Sequence, residues 1–342
     1  MAIRSVGIMN YILQYSDQRR PFRRILTVVT ILALAAAVLY GTADFLGGVA
    51  SRRASVFAVL ATTVPAGAVV VIVVALLGQA PWLGGVFGAG PGSPTAFGGW
   101  GAFGWAAASG VCGAAGLIAF YAGFAAAPIS TVAPVAALVS AVLPVGVAVA
   151  GGEHLTVPMA VGGLICLAAI VLVSMPAAEP VAGRQDKIGT NGAGSRGPAS
   201  RLRGLAYGAT AGAGFGLFFL CLKNAGQSGV LWPVAVSRTA GTVVAVAIAL
   251  AAGVRPWRRT RPGPRGHGAG AIALASGAVD AAANVCYVLA TRAGLFGLAV
   301  VITALYPGMT VLLARWVLGE RMRWLQRAGL LLAAAGVVLL TT

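Results

Sequence analysis

Ten long apolar runs, separated by short polar or basic segments, divide this 342-residue chain. They lie at about 26–49, 56–78, 101–124, 129–150, 157–174, 204–222, 231–252, 269–290, 295–318 and 325–340. A helix rising 1.5 Å per residue needs about 20 mostly apolar residues to cross the hydrocarbon core of a bilayer. Charged residues make up 9% of the chain, against roughly 25% in a soluble domain. So few charges cannot cover a water-facing surface, and lipid asks for no such cover. The spacing therefore predicts an all-α membrane fold of ten transmembrane helices. Residues 1–25 form a basic tail. The run after it is too long for a signal peptide and carries Asp44, so it reads as a retained first helix.

The net charge of +17 points to lipid headgroups as a partner and away from nucleic acid. Basic residues gather between the runs: Arg19, Arg20, Arg23 and Arg24; Arg52 and Arg53; Arg255 to Arg265; Arg321, Arg323 and Arg327. That layout suits juxtamembrane loops. No basic stripe interleaved with aromatics accompanies it. Basic loops after the first, fifth, seventh and ninth runs share one face, whereas the basic tail lies on the other, so charge counting gives opposed votes on orientation. Arginine far outnumbers lysine and Ala and Gly abound, as in proteins of GC-rich bacteria, which suggests a bacterial plasma membrane. Cys112, Cys166, Cys221 and Cys286 each sit in an apolar run, and with only His154 and His267 beside them no metal site or cofactor is expected. Neither a P-loop nor a hydrolase nucleophile motif is present, so ATP drive and enzyme chemistry are not expected.

A repeat is visible at an offset of 167 residues. Ala108-Ser109-Gly110 recurs as Ala275-Ser276-Gly277, Ala137-Leu138 as Ala304-Leu305, and Gly152-Glu153 as Gly319-Glu320. Gly162 recurs as Gly329, and Val171-Leu172 as Val338-Leu339. The polar stretch 176–203 separates two sets of five runs, giving repeats at 26–175 and 204–342. Because five is odd, the second set enters the membrane in the opposite sense, the arrangement of many alternating-access transporters.

The segment Leu305-Tyr306-Pro307-Gly308-Met309-Thr310, with Leu318-Gly319-Glu320-Arg321 and Gln326-Arg327-Ala328-Gly329, resembles the close of an EamA-type transporter of the drug/metabolite transporter superfamily. Tyr40-Gly41-Thr42-Ala43-Asp44-Phe45-Leu46-Gly47-Gly48 resembles that family's first helix, and Gly152-Glu153-His154-Leu155-Thr156 the close of its first half. The resemblance implies a central cavity lined by helices one, three, four, six, eight and nine. It also implies multi-pass transport of small metabolites, amino acids or drugs by export or exchange. A channel, or a non-transporting membrane protein of the same fold, is the alternative. Two features depart from the family pattern: the loop after the second helix lacks a basic cluster, and Ser140 stands where the second half has Pro307, with Pro144 one turn later. Helices four and nine should therefore bend at different depths.

Ionisable residues inside a span cost about 2.5–3.5 kcal/mol at its centre and are functional candidates by default. Ser276, Asp280, Asn284, Tyr287 and Thr291 fall on one face of the eighth helix. Such a stripe should face the bundle interior, as a solute or proton site or as interhelical glue. Its equivalents in the first half are Gly113 for Asp280 and Leu117 for Asn284. Asp44, one turn after Tyr40, either faces the cavity or is solvated near Arg52 and Arg53. Arg238 either binds an acidic partner or anionic solute, or snorkels to the interface. A pair of Arg238 with Asp280 would relieve two costly charges together. Thr303, Tyr306 and Thr310 form a second polar face beside Pro307, for the pathway or for packing. Glu153 and Glu320, at helix ends, should position the helix that follows. Coupling to protons or a counter-substrate would fall to Asp280 or Asp44.

Overall fold

A computed structural model describes residues 2–52, 56–78, 99–127, 129–153, 156–175, 198–227, 229–251, 268–319 and 321–341. The loop 79–98, most of the linker, the basic loop 252–267, and Arg53, His154, His267 and Glu320 lie outside the described residues. The rest is helical: α1 (Ala2–Ser51), α2 (Val56–Gly78), α3 (Gly99–Ala126), α4 (Ile129–Ala150), α5 (Val157–Ser174), α6 (Pro198–Gly226), α7 (Leu231–Ala251), α8 (Ala269–Ala293), α9 (Phe296–Thr303), α10 (Tyr306–Val317) and α11 (Trp324–Leu340). Nine of the described helical spans are long and apolar enough to cross a membrane, with α9 and α10 counted together. The tenth, α11, has 17 residues and reaches roughly 26 Å, a little short of the hydrocarbon thickness.

The sequence runs understate several helices. The expected tail is helical from Ala2, and α6 begins at Pro198, six residues inside the expected linker. Proline suits a helix start, where its missing N–H has no intrahelical partner to lose. The largest departure is in the ninth run. A bend was expected at Pro307; instead the helix stops at Thr303 and restarts at Tyr306. Proline at 307 cannot donate to the carbonyl four residues back and its ring crowds it, so the ladder breaks one turn ahead. In α4, Pro134 and Pro144 lie within one uninterrupted helix, so the two spans differ as their prolines do.

The Gly-Glu repeat has a backbone cause. Gly152 and Gly319 both take positive φ, at 90° and 69°. After α4, Gly152 N–H donates to the Val149 carbonyl and Glu153 N–H to the Ala148 carbonyl. A left-handed residue here closes the last helical turn, and glycine takes that conformation without a Cβ clash.

The principal packings pair off when the two sets of five spans are exchanged. Helix α3 lies on α6 as α8 lies on α1, and α3 on α7 as α8 on α2. Helix α4 meets α6 as α9 and α10 meet α1, while α5 meets α11 and α2 meets α7. Glycines sit at these crossings. A Cβ on Gly277 would overlap the Thr63 carbonyl, and one on its counterpart Gly110 the Ser237 carbonyl. Between α5 and α11, a Cβ on Gly162 would come within 2.9 Å of the Leu340 nitrogen, and one on Gly329 within 2.8 Å of Val173 Cγ2. Leu340 and Val173 are themselves 167 apart. Small residues let helices approach closely where lipid removes the hydrophobic drive for association.

The outer faces carry exposed apolar side chains such as Ile31, Val69, Val243 and Leu331. Trp100, Trp316 and Trp324 stand exposed at helix ends, where indoles favour the membrane interface.

Candidate functional site

The polar stripe of α8 faces inward, toward α1, α6 and α7. Asp280, near the middle of α8, forms an ion pair with Arg238 of α7. The side chains are 25% and 11% exposed, so Arg238 does not snorkel to an interface. One turn along, the Asn284 side-chain N–H donates to the Asp280 carbonyl at 2.7 Å, and Tyr40 of α1 donates its hydroxyl to Asn284 Oδ1 at 2.8 Å. The chain Arg238–Asp280–Asn284–Tyr40 thus joins the second set of helices to the first. Arg238 Nε is buried and has no hydrogen-bond partner among the described residues.

Aromatic rings wall this cluster. Tyr40 lies edge-on to Phe219 at 6.0 Å and tilts against Tyr306 at 6.1 Å. Phe219 packs on Tyr287 at 4.8 Å, and the Tyr287 hydroxyl donates to the Phe219 carbonyl at 3.0 Å. Tyr287 is thereby a peg between α6 and α8. Asp44, one turn beyond Tyr40, is exposed within its span and lies in electrostatic reach of Tyr306 and of Tyr121 on α3.

The other sequence candidates divide by their bonds. Ser276 donates to the Ala43 carbonyl at 2.8 Å and ties α8 to α1. Its repeat counterpart Ser109 donates to the Phe218 carbonyl at 3.0 Å and ties α3 to α6. Thr310 donates to the Gly41 carbonyl at 3.1 Å, holding α10 against α1. Thr291, the last member of the stripe, donates to the Val288 carbonyl within its own helix. Thr303 ends α9 at the break, 1% exposed, with a hydroxyl that has no partner among the described residues.

Three features escaped the sequence reading. Ser237, beside Arg238, donates to Ser109 at 3.1 Å and so carries the first half's serine tie on to α7. Phe219 walls the site, and Phe218 packs edge-on against it at 5.2 Å, yet in sequence both look like ordinary lipid-facing residues. Glu153 does position a helix, but not the one that follows it: both carboxylate oxygens accept from Gly297 N–H at 3.0 Å, at the start of α9 in the other half. Negative charge suits a helix N-terminus. At the same end, Lys223 sits over the Phe296 ring at 4.8 Å, and Arg292 donates to the Gly226 carbonyl at 3.1 Å. The packed cluster takes its residues from helices one, six, eight and nine of those named by the resemblance, and from helix seven, which the resemblance does not name and which supplies Arg238. A cavity of about 250 Å³ lies off that axis, between α4, α5, α9 and α11.

Spans that bury a charge pair among tyrosines, inside an otherwise apolar bundle, define the class: a polytopic α-helical membrane protein with a polar centre. Residues 202–342 match the EamA-like transporter family, a non-enzymatic family of the drug/metabolite transporter superfamily. A crystal structure of another protein superposes over 92% of this chain and 96% of its own, with a TM-score of 0.65 and 16% identity, so the two share a fold. No curated protein matches the chain.

Proposed function

We propose that this transporter is a secondary carrier that exports or exchanges small metabolites or drugs across the cell membrane by alternating access. Two EamA-like units, 26–175 and 204–342, rock against each other on their glycine crossings. The solute is taken at the cluster of Arg238, Asp280, Asn284 and Tyr40, with Asp44, Tyr306 and Thr303 along its path. Ser276, Tyr287 and Thr310 hold the walls of that path. The carrying observation is the ion pair of Arg238 with Asp280, wired to Tyr40 of the other unit. A charge pair at mid-span is costly for mere packing, and Arg238 Nε still lacks an acceptor that a solute's oxygen would supply.

The pattern of ties also supports alternation. Glu153, Lys223 and Arg292 clamp the helix ends on one face, while Asp44 stays exposed nearer the other. Asp44 and Asp280 are the groups placed to carry a proton or to meet a cationic counter-substrate.

The test is solute counterflow in liposomes, after a resistance and uptake screen has found the solute. Saturable counterflow that falls at least tenfold in Asp280→Asn is expected. Gradient-driven flux without counterflow would instead make the protein a channel, and undiminished counterflow in both Asp280→Asn and Arg238→Gln would remove the cluster from the pathway.

A further inference from the structure

The off-axis cavity belongs to neither the polar cluster nor the glycine crossings. Its lining is apolar apart from Glu153, and it includes Val145, Leu167, Leu298 and Val301. All four elements contribute the same end: Glu153 follows α4, Met159 opens α5, Leu295 precedes α9 and Leu340 closes α11. The cavity thus begins at one membrane face and runs inward by a turn or two. Its rim includes Leu164, which is 67% exposed and continues the outward row of Val157 and Val161 on α5. That row faces the hydrocarbon of the bilayer. An apolar crevice offers water too few partners to hold it, so hydrocarbon from the adjoining bilayer is the filling that fits.

We infer that this crevice holds the acyl chain of a bilayer phospholipid whose primary ammonium headgroup pairs with Glu153. The Glu153 carboxylate takes only the Gly297 N–H among the described residues, which leaves lone pairs for further donors. An ethanolamine headgroup brings three N–H donors, whereas choline brings none. The cations at this end are engaged locally, Lys223 over Phe296 and Arg292 on the Gly226 carbonyl, so an anionic headgroup would meet the Glu153 charge at the rim.

Two substitutions separate chain from headgroup. Glu153→Gln keeps an amide oxygen for the Gly297 N–H and removes the charge. Gly163→Leu starts in open space, since a Cβ there meets nothing within 4 Å, and takes up volume in the crevice that Gly163 lines. The full chain is placed in nanodiscs of equimolar phosphatidylethanolamine, phosphatidylcholine and phosphatidylglycerol with matched chains, and lipid retained after extraction is counted by native mass spectrometry. The wild type should retain phosphatidylethanolamine over phosphatidylcholine roughly fivefold, the upper end for an ion pair at a wet interface. Glu153→Gln should lose that preference yet keep a bound lipid, and Gly163→Leu should lose the lipid altogether. Equal retention of the three headgroups by the wild type, a preference for phosphatidylglycerol, or a Gly163→Leu protein that keeps its lipid would overturn the inference.

Discussion

Removing the Arg238–Asp280 pair whole should cost much less than the losses of its two partners added together. Two unit charges about 4 Å apart attract by about 4 kcal/mol at an effective dielectric of 20. Partial exposure, 11% for Arg238 and 25% for Asp280, lets water screen some of this, so a coupling of about 2–3 kcal/mol is expected. Asp280→Asn strands a buried guanidinium that already has one orphaned donor, and Arg238→Gln strands a carboxylate. Each single change should cost about 3 kcal/mol. The double variant carries two neutral amides that can bond each other, and should cost little more than either single one. Unfolding titrations of all four proteins in bicelles read the cycle directly. If the double variant loses the sum of the singles to within about 0.5 kcal/mol, the two residues are energetically independent and the wired-pair argument fails.

The glycine crossings make a second test: Gly277→Val or Gly110→Val drives a side chain into a partner carbonyl and should abolish the folded protein, measured as monodisperse yield in detergent. By contrast Gly104→Ala, whose Cβ meets nothing within 4 Å, should leave stability unchanged or raise it by about 0.5–1 kcal/mol, seen as a higher melting temperature. Removing the carboxylate in Glu153→Ala leaves the Gly297 N–H uncapped and should cost about 0.5–2 kcal/mol in the same bicelle titration, a loss that Glu153→Gln avoids. Pro307→Ala should let the ninth span close its ladder through 304–305, lowering counterflow while the melting temperature holds or rises, with spin-label distances across the break as the check.

The membrane fold was legible because length and apolarity are properties of single runs, and lipid admits few other readings of them. The repeat was legible wherever the backbone demanded one residue: glycine at 152 and 319 for positive φ, glycine at 110 and 277 for close crossing. Helical periodicity placed Asp280 and Asn284 on one face, and that face carries the cluster. Partner choice was not legible. The sequence suggested Arg238 for Asp280 only on the ground that both are costly, and nothing in it linked Tyr40 to Asn284, 244 positions away. Nor did it show that Glu153 caps a helix of the other half, because a glutamate at a helix end has several partners of equal local merit.

The frame and the chemistry separate along the same symmetry. The crossings align Gly67 with Gly241, an offset of 174, because a Cβ on Gly67 would meet the Gly277 carbonyl and one on Gly241 the Gly110 carbonyl. That offset carries Arg238 to Val64, and the offset of 167 carries Asp280 to Gly113. In the first half, then, the position of the ion pair holds a valine and a glycine, and a Cβ on Gly113 would meet the Phe218 ring at 3.0 Å. One half keeps a charge pair where the other has an aromatic ring pressed on a glycine. Under the proposed alternation, symmetric crossings would give two conformations of similar energy, and the asymmetric lining would have the solute meet its charged contacts on α7 and α8 in both. Placing Asp at 113 and Arg at 64 in a protein with Asp280→Asn and Arg238→Gln would not restore transport, because Phe218 fills the space a transplanted pair would need.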